Sequence, residues 1–264
     1  MTYTHGHAEA VLRSHRWRNV ANSAGYFADR LRPGLSLLDV GCGPGSLTID
    51  LARQVAPGRV VGVDASEEVL EEARAATEAA GATNLAFHAG NAYELAYDEG
   101  SFDVVHAHQL LQHLERPSAA LGEMARVCKA GGIVAARDGD YGAFTWYPEE
   151  PALDRWLEVY RAVARANGGE PDAGRRLKSW ARQAGLGEVV GSGSVWCFSG
   201  LEERTWWADL WAERISATQL ADRAIELGIA TRDELAGIAE GWHRWAHHED
   251  AWFSVLNGEI LVEV

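Results

Sequence analysis

Leu37-Leu38-Asp39-Val40-Gly41-Cys42-Gly43-Pro44-Gly45-Ser46 is the stretch that decides how this chain folds. A short apolar strand closes on an acid, and three glycines follow at alternate positions. Without a Cβ, glycine lets the backbone turn through φ > 0 and approach a ligand more closely than any other residue allows. Ser46 to Gln54 then reads as a helix whose first N–H groups, lacking intrahelical partners, face the same spot. Strand, glycine turn and helix N-terminus in that order suit a small, charged, nucleotide-like ligand.

Outward from this loop, Leu35 to about Val195 alternates β-rich runs with helical segments, the pattern of a parallel sheet covered on both faces. Strands are expected at Ser36–Val40, Arg59–Asp64, Leu85–Ala89, Phe102–His106 and Gly132–Arg137. After the second strand the helix signals agree. Ser66 is an N-cap, Glu67 and Glu68 occupy the first turn, Val69, Leu70, Ala73, Ala76 and Ala80 form a stripe, and Gly81 ends the helix. Asp64 thereby falls at a strand's carboxyl edge, on the rim where open α/β sheets bind ligands. Residues 1–34 read as an N-terminal helical cap, with Pro33-Gly34 marking the step into the 35–200 core. Residues 201–252 read as a tryptophan-rich helical insert carrying Trp206, Trp207, Trp211, Trp242 and Trp245, and 253–264 as the last strand.

Composition bounds the function. With 264 residues, 47% hydrophobic and 23% charged, the chain can bury one generous core. No apolar run approaches the roughly 20 residues that span a bilayer, and Met1-Thr2-Tyr3-Thr4-His5 lacks a secretory pattern, so a cytoplasmic location is the expectation. Cys42, Cys128 and Cys197 are far apart and form no Cys-x-x-Cys pair, which points away from a disulfide framework or zinc site. A net charge of -14 opposes a polyanionic partner, and the basic clusters Arg13-Arg16-Arg18 and Arg175-Arg176-Lys178 read as solvated helix faces. A homodimer is left open.

Three strand ends carry the chemistry: the glycine loop, Asp64, whose carboxylate can accept both hydroxyls of a ribose, and Gly90-Asn91-Ala92, where a side-chain amide and a backbone N–H can read an adenine edge. With these in register, the chain resembles the class I S-adenosylmethionine-dependent methyltransferases, in particular the quinone-biosynthesis subgroup. The resemblance runs from about Leu35 to Arg137 and more weakly to Val195. It includes Phe102-Asp103-Val104-Val105 leading into His106–Leu114, and the turn Arg126-Val127-Cys128-Lys129-Ala130-Gly131-Gly132. It implies a doubly wound, mostly parallel, seven-stranded Rossmann-like sheet. It further implies S-adenosyl-L-methionine as cofactor, S-adenosyl-L-homocysteine as product, and no metal. By the same resemblance Asp39, Gly41, Cys42, Gly43 and Gly45 meet the methionine end, Asp64 and Ala65 the ribose and Asn91 and Ala92 the adenine, with His108 and Gln109 on the fourth-strand rim. Asn91 departs from the usual acid: its carbonyl oxygen still accepts, but without charge.

A nicotinamide dehydrogenase is the rival reading. Its Gly-x-Gly-x-x-Gly would need glycine where this chain has Ser46. A protein that binds S-adenosylmethionine without methylating also stays open. For a methyltransferase, candidate bases belong on the fourth- and fifth-strand rims: His108, His113, Asp138 and Tyr141, each with a structural reading beside it. If Glu188–Val195 is a sixth strand parallel to the fifth and Asn257–Val264 runs back antiparallel, the tryptophan-rich helices emerge beside the active site as a lid. With His15, Trp17 and Arg18 they would enclose an apolar or aromatic acceptor, most of the rings serving only to pack helices. No Asn-Pro-Pro-Tyr signature of nucleic-acid and protein amide-nitrogen methylases is present, which supports a small-molecule hydroxyl, carbon or amine acceptor; O- or C-methylation is favoured over N.

Overall fold

β1 (Leu37–Val40) is buried along its whole length, as a strand with neighbours on both sides and helices on both faces must be. The computed structural model describes residues 9–264, so the reading of Met1–His5 lies outside the described residues. β1 pairs in parallel with β2 (Val60–Asp64) and β4 (Phe102–His108); β3 (Leu85–Ala89) continues the sheet beyond β2 and β5 (Cys128–Gly139) beyond β4. Since β1 to β5 are all parallel, their carboxyl ends share one rim. β8 (Trp252–Glu263) then runs antiparallel to both β5 and β7 (Val189–Phe198), which leaves β7 parallel to β5 as expected.

The sheet has eight strands rather than seven. β6 (Thr145–Tyr147) pairs with Trp252–Ser254 of β8, beyond the point where β5 has ended. At three residues it is too short to show a period-2 pattern. β5 also begins earlier than expected, because Cys128 already pairs with Phe102 before the register shifts between Phe102 and Val104.

α2 (Ser46–Val55) follows the glycine loop and α3 (Glu67–Ala80) follows β2. α3 starts where its signals place it: Ser66 Oγ accepts from Val69 N at 3.4 Å, and Gly81 closes the helix at φ 65°. Its buried stripe is Val69, Leu70, Ala73 and Thr77, while Ala80, the last residue of the helix, is exposed. α4 (Pro117–Val127) leads into β5, and α5 (Pro151–Ala166) and α6 (Leu177–Gln183) lead into β7.

α7 (Leu201–Ala217), α8 (Gln219–Glu226) and α9 (Arg232–Ala246) connect the carboxyl end of β7 to the start of β8, where Phe198 pairs with Phe253. They therefore stand on the rim that carries the glycine loop. Their packing centre comes from α5: the Trp156 ring lies 4.5 Å from Trp211 and 4.9 Å from Trp242, both edge-on, with Phe253 against Trp242 at 5.4 Å. Such pairs add about 0.5–1.5 kcal/mol each beyond the area they bury. α1 (Glu9–Arg16) is tied across to α7 by Arg13–Glu213 at 2.8 Å and by Arg214 donating to Ser14 Oγ. Among the described residues, no helix is long and apolar enough to cross a membrane.

Candidate active site

A cavity of about 910 Å³ opens on the rim, within the few-hundred to ~1,000 Å³ range of small-molecule sites. Its wall is built from strand ends: Gly41 to Pro44 after β1, Asp64 to Ser66 after β2, Gly90 to Tyr93 after β3, and His108 to Leu110 after β4. His15 and Arg18 close it from the N-terminal side.

The three loop glycines have different reasons to be glycine. All have positive φ, 74° at Gly41, 54° at Gly43 and 79° at Gly45. A Cβ on Gly41 would lie 2.9 Å from Leu110, and one on Gly45 2.8 Å from the Phe87 ring; on Gly43 it would meet nothing closer than His15 Nδ1 at 3.5 Å. Gly45 is buried and absent from the cavity wall, which corrects the expectation that it touches the cofactor: it seats α2 against Phe87. Gly43 is the position that keeps backbone open to the cavity.

Asp64 holds this loop in place. Its Oδ2 accepts from Gly43 N at 3.0 Å and its Oδ1 from Ser66 N at 3.1 Å, leaving each oxygen a further lone pair. Cys42, Ala65 and Ala92 complete the nearby wall. Asn91 Oδ1 accepts from Tyr93 N at 3.0 Å, so the oxygen assigned to an adenine amino group also fixes the turn that presents it.

Asp39 lines the cavity but is 2% exposed, and both its oxygens are engaged: Thr48 Oγ1 donates to Oδ2 at 2.6 Å, and Oδ1 lies 2.8 Å from His106 Nδ1. It clamps α2 and β4 behind the loop. The pairing with His106 was not foreseen, although the alternation His106-Ala107-His108 puts both imidazoles on one face of β4. Their rings are parallel, 6.4 Å apart.

His108 is 5% exposed on the cavity wall, and neither ring nitrogen has a hydrogen-bond partner. Burial, reinforced by the Arg18 and Arg137 guanidiniums, holds its pKa well below the usual histidine value. Gln109, φ 53°, is the one non-glycine described residue with positive φ, a strained conformation of the kind that clusters at functional sites. Its Nε2 donates to Asn257 Oδ1 at 3.0 Å and its Oε1 accepts from Gln112 Nε2 at 3.2 Å. Gln112 Nε2 also lies 3.2 Å from His113 Nε2, so that nitrogen is the acceptor. Burial, with Arg18 and Arg214 nearby, pushes His113 down to about 3.

Asp138 and Tyr141 do not join the cofactor cavity. Asp138 is fully buried behind the wall, where Oδ1 accepts from Gln112 N at 3.1 Å; burial pushes its carboxyl up to about 7 despite the backbone donors. It supports the turn bearing His113 and lines neither cavity, so it is removed from the candidate bases. Tyr141 stacks on Tyr160 at 4.1 Å and packs tilted against Phe144 at 4.4 Å, and burial raises its phenol, so it forms wall rather than base.

A second, narrow chamber of about 30 Å³ borders the first and shares His15, Arg18, Gln109 and His113 with it. Trp17, Trp196, Trp206, Trp207 and Trp211 line it, with Arg214 among them. Trp242 and Trp245 lie behind, in the α5–α7–α9 core. Trp196, Gln112 and Arg214 went unrecognised in the sequence. For Trp196 the signal was present: Trp196 and Phe198 alternate inward along β7.

Residues 31–185 match a family model described as a methyltransferase domain. The chain is 32% identical, over 98% of its length and 95% of the relative's, to an uncharacterized methyltransferase of Schizosaccharomyces pombe. It belongs to the class I S-adenosylmethionine-dependent methyltransferases. A demethylmenaquinone methyltransferase of Lactococcus lactis is 38% identical over 48% of each chain. In fold, the methyltransferase is similar to phosphoethanolamine N-methyltransferase 2 of Haemonchus contortus, with a TM-score of 0.60 and 16% identity over 97% of this chain and 57% of that one. S-adenosylmethionine is its cofactor, and the wall fits that group. Gly43 leaves the backbone bare, Asp64 keeps acceptor lone pairs at the rim, and the neutral His108 sets no second cation beside a sulfonium.

Proposed function

We propose that the enzyme methylates a small aromatic or otherwise apolar molecule, on oxygen or carbon, and that the acceptor occupies the end of the cofactor cavity that borders the tryptophan-lined chamber. What carries this reading is the junction itself: four residues, His15, Arg18, Gln109 and His113, belong to both the cofactor cavity and the aromatic chamber. The kinship with a demethylmenaquinone methyltransferase supports a ring-bearing acceptor.

In this reading Asp64 holds the ribose, Asn91 and Ala92 the adenine edge, and the Gly41–Gly43 backbone the methionine end. S-adenosylmethionine, when bound, supplies an electrophilic methyl carbon on a positively charged sulfur. The chain contributes position and dryness, which are the larger part of catalysing such a displacement. His108, with both nitrogens unpartnered, is the group that receives the acceptor's hydrogen bond or proton. Gln109 and Gln112 hold His113 in place, and Asp138 buttresses their turn. α1 and α7 form the lid, with Trp17 and Trp206 rings 5.7 Å apart across it.

The test is transfer of labelled methyl from S-adenosylmethionine to a panel of small phenols, quinols and amines, repeated with Trp206→Ala. The expected result is an O- or C-methylated ring product, and in the variant a raised acceptor KM with unchanged S-adenosylhomocysteine affinity. Labelling confined to amines would overturn it.

A further inference from the structure

A line of amides runs from β8 to the junction. Gly139, the last residue of β5, pairs with Asn257 of β8, and a Cβ on Gly139 would lie 3.5 Å from Gln112 Oε1 and 3.7 Å from Gln109 Nε2, so the three amides gather around one glycine. Asn257 and Gln112 are buried, and Gln109 joins them from its left-handed backbone.

An amide's oxygen and nitrogen are told apart by what each bonds, so the direction of the line follows from an end whose polarity is fixed. Val255 is that end. Its backbone oxygen accepts and never donates, so the Asn257 atom 3.1 Å from it is Nδ2. Asn257 Oδ1 therefore faces Gln109, whose atom at 3.0 Å must be Nε2. Gln109 Oε1 in turn faces Gln112, whose atom at 3.2 Å must be Nε2, and the second hydrogen of that nitrogen goes to His113 Nε2, also at 3.2 Å. A ring nitrogen that accepts carries no hydrogen. Burial, with Arg18 and Arg214 nearby, pushes His113 down to about 3, so its imidazole is neutral at ordinary pH and its one ring hydrogen sits on Nδ1.

This direction is held against an alternative. Gln112 Oε1 is buried and, among the described residues, has no hydrogen-bond partner. Turning over the Gln109 and Gln112 amides together would let that oxygen accept from Gln109 and from the other tautomer of His113. The reversal would also set Gln109 Oε1 against Asn257 Oδ1, two buried acceptors with no hydrogen between them, which is costly. Resting on the placement of the methylated molecule at the junction, we infer that Asn257 is a positioning residue: through Gln109 and Gln112 it fixes His113 as the Nδ1–H tautomer, so that His113 serves methyl transfer as a hydrogen-bond donor and not as a base. Because His113 lines both cavity and chamber, any oxygen it meets there through Nδ1 is met by a donor. Its Nε2 is taken and its Nδ1 already protonated, which leaves the proton of the methylated molecule to His108.

The experiment is a long-range proton–nitrogen correlation spectrum of the full chain, isotopically labelled at histidine nitrogen and saturated with S-adenosylhomocysteine at about pH 7. It distinguishes ring nitrogens that carry hydrogen from those that do not, and His113→Gln identifies the signals. The wild type should show His113 protonated at Nδ1 and bare at Nε2. In Asn257→Leu the ratio of the Nε2–H to the Nδ1–H form should rise at least about fivefold, the ratio that one ordinary hydrogen bond supports. Asn257→Asp, which keeps an acceptor for Gln109 Nε2, should hold the wild-type tautomer. Gln109→Met cuts the line one link further on and should release the tautomer as Asn257→Leu does, so the test stands if Asn257→Leu does not fold. Hydrogen on Nε2 in the wild type, a wild-type ratio in Asn257→Leu or Gln109→Met, or loss of the tautomer in Asn257→Asp would overturn the inference. None of these readouts needs the methylated molecule, so their failure leaves the proposed function standing, and failure of the methylation panel leaves the tautomer standing.

Discussion

Adding one methyl group at Gly43 and at Gly45 should separate the ligand-facing glycine from the packing glycine. Both positions have positive φ, so alanine pays roughly 1–2 kcal/mol of backbone strain at either. At Gly45 the new Cβ also lies 2.8 Å from the Phe87 ring and 3.0 Å from Ala73 Cβ, between two buried side chains that cannot swing away. Overpacking of that kind adds about 1–3 kcal/mol, so Gly45→Ala should destabilise by about 2–5 kcal/mol in all, lowering Tm by about 2–4 °C for each. At Gly43 the nearest atom is 3.5 Å away, so stability should fall only by the strain. The same Cβ, however, stands in the cavity. A clash of about 1–3 kcal/mol with bound ligand corresponds to about 5- to 150-fold weaker binding. Calorimetric titration with S-adenosylhomocysteine and thermal unfolding of both variants supply the two readouts. Gly43→Ala binding as tightly as wild type, or Gly45→Ala retaining wild-type Tm, would refute this division of roles.

Asp39→Ala leaves Thr48 and the His106 imidazole without their buried partner and should cost about 3–5 kcal/mol in urea unfolding; a loss of cofactor affinity with stability unchanged would instead make Asp39 a direct ligand. Asp138 carries a raised folded pKa, so relative to a neutral residue it weakens the fold progressively as pH rises from its unfolded value, 3.8, towards about 7, and by a constant amount above that. Asp138→Asn keeps the acceptor for Gln112 N, and its stability relative to wild type should therefore improve between pH 5 and pH 8; a pH-independent difference would contradict the shift. Trp242→Ala, at 0% exposure in the aromatic core, should cost about 3–5 kcal/mol of stability. The partly exposed Trp206 should cost much less and act on acceptor KM, a contrast that unfolding and kinetics together measure.

The fold was legible wherever the signal is local. Ser66 and Gly81 bound α3 because capping is decided within four residues, and the strand ends after β1 to β3 each carry an acid or an amide. What stayed hidden depends on contacts distant in sequence. Trp156 and Trp211 meet across 55 residues, Asp39 and His106 across 67. Nothing local tells a glycine that faces a ligand from one that faces Phe87, because both need positive φ and only the direction of the missing Cβ differs. The candidate bases divided for the same reason. His108, inward by strand alternation, lines the cavity, whereas Asp138 lies near the end of β5 yet points behind the wall, under Gln112.

The most direct measurement of the account is a crystal structure with S-adenosylhomocysteine bound. The ribose should lie on Asp64, the adenine beside Asn91 and Ala92, and the sulfur should face the junction formed by His15, Arg18, Gln109 and His113, open to the tryptophan-lined chamber. A sulfur turned away from that junction, or a nucleoside held away from Asp64, would contradict it.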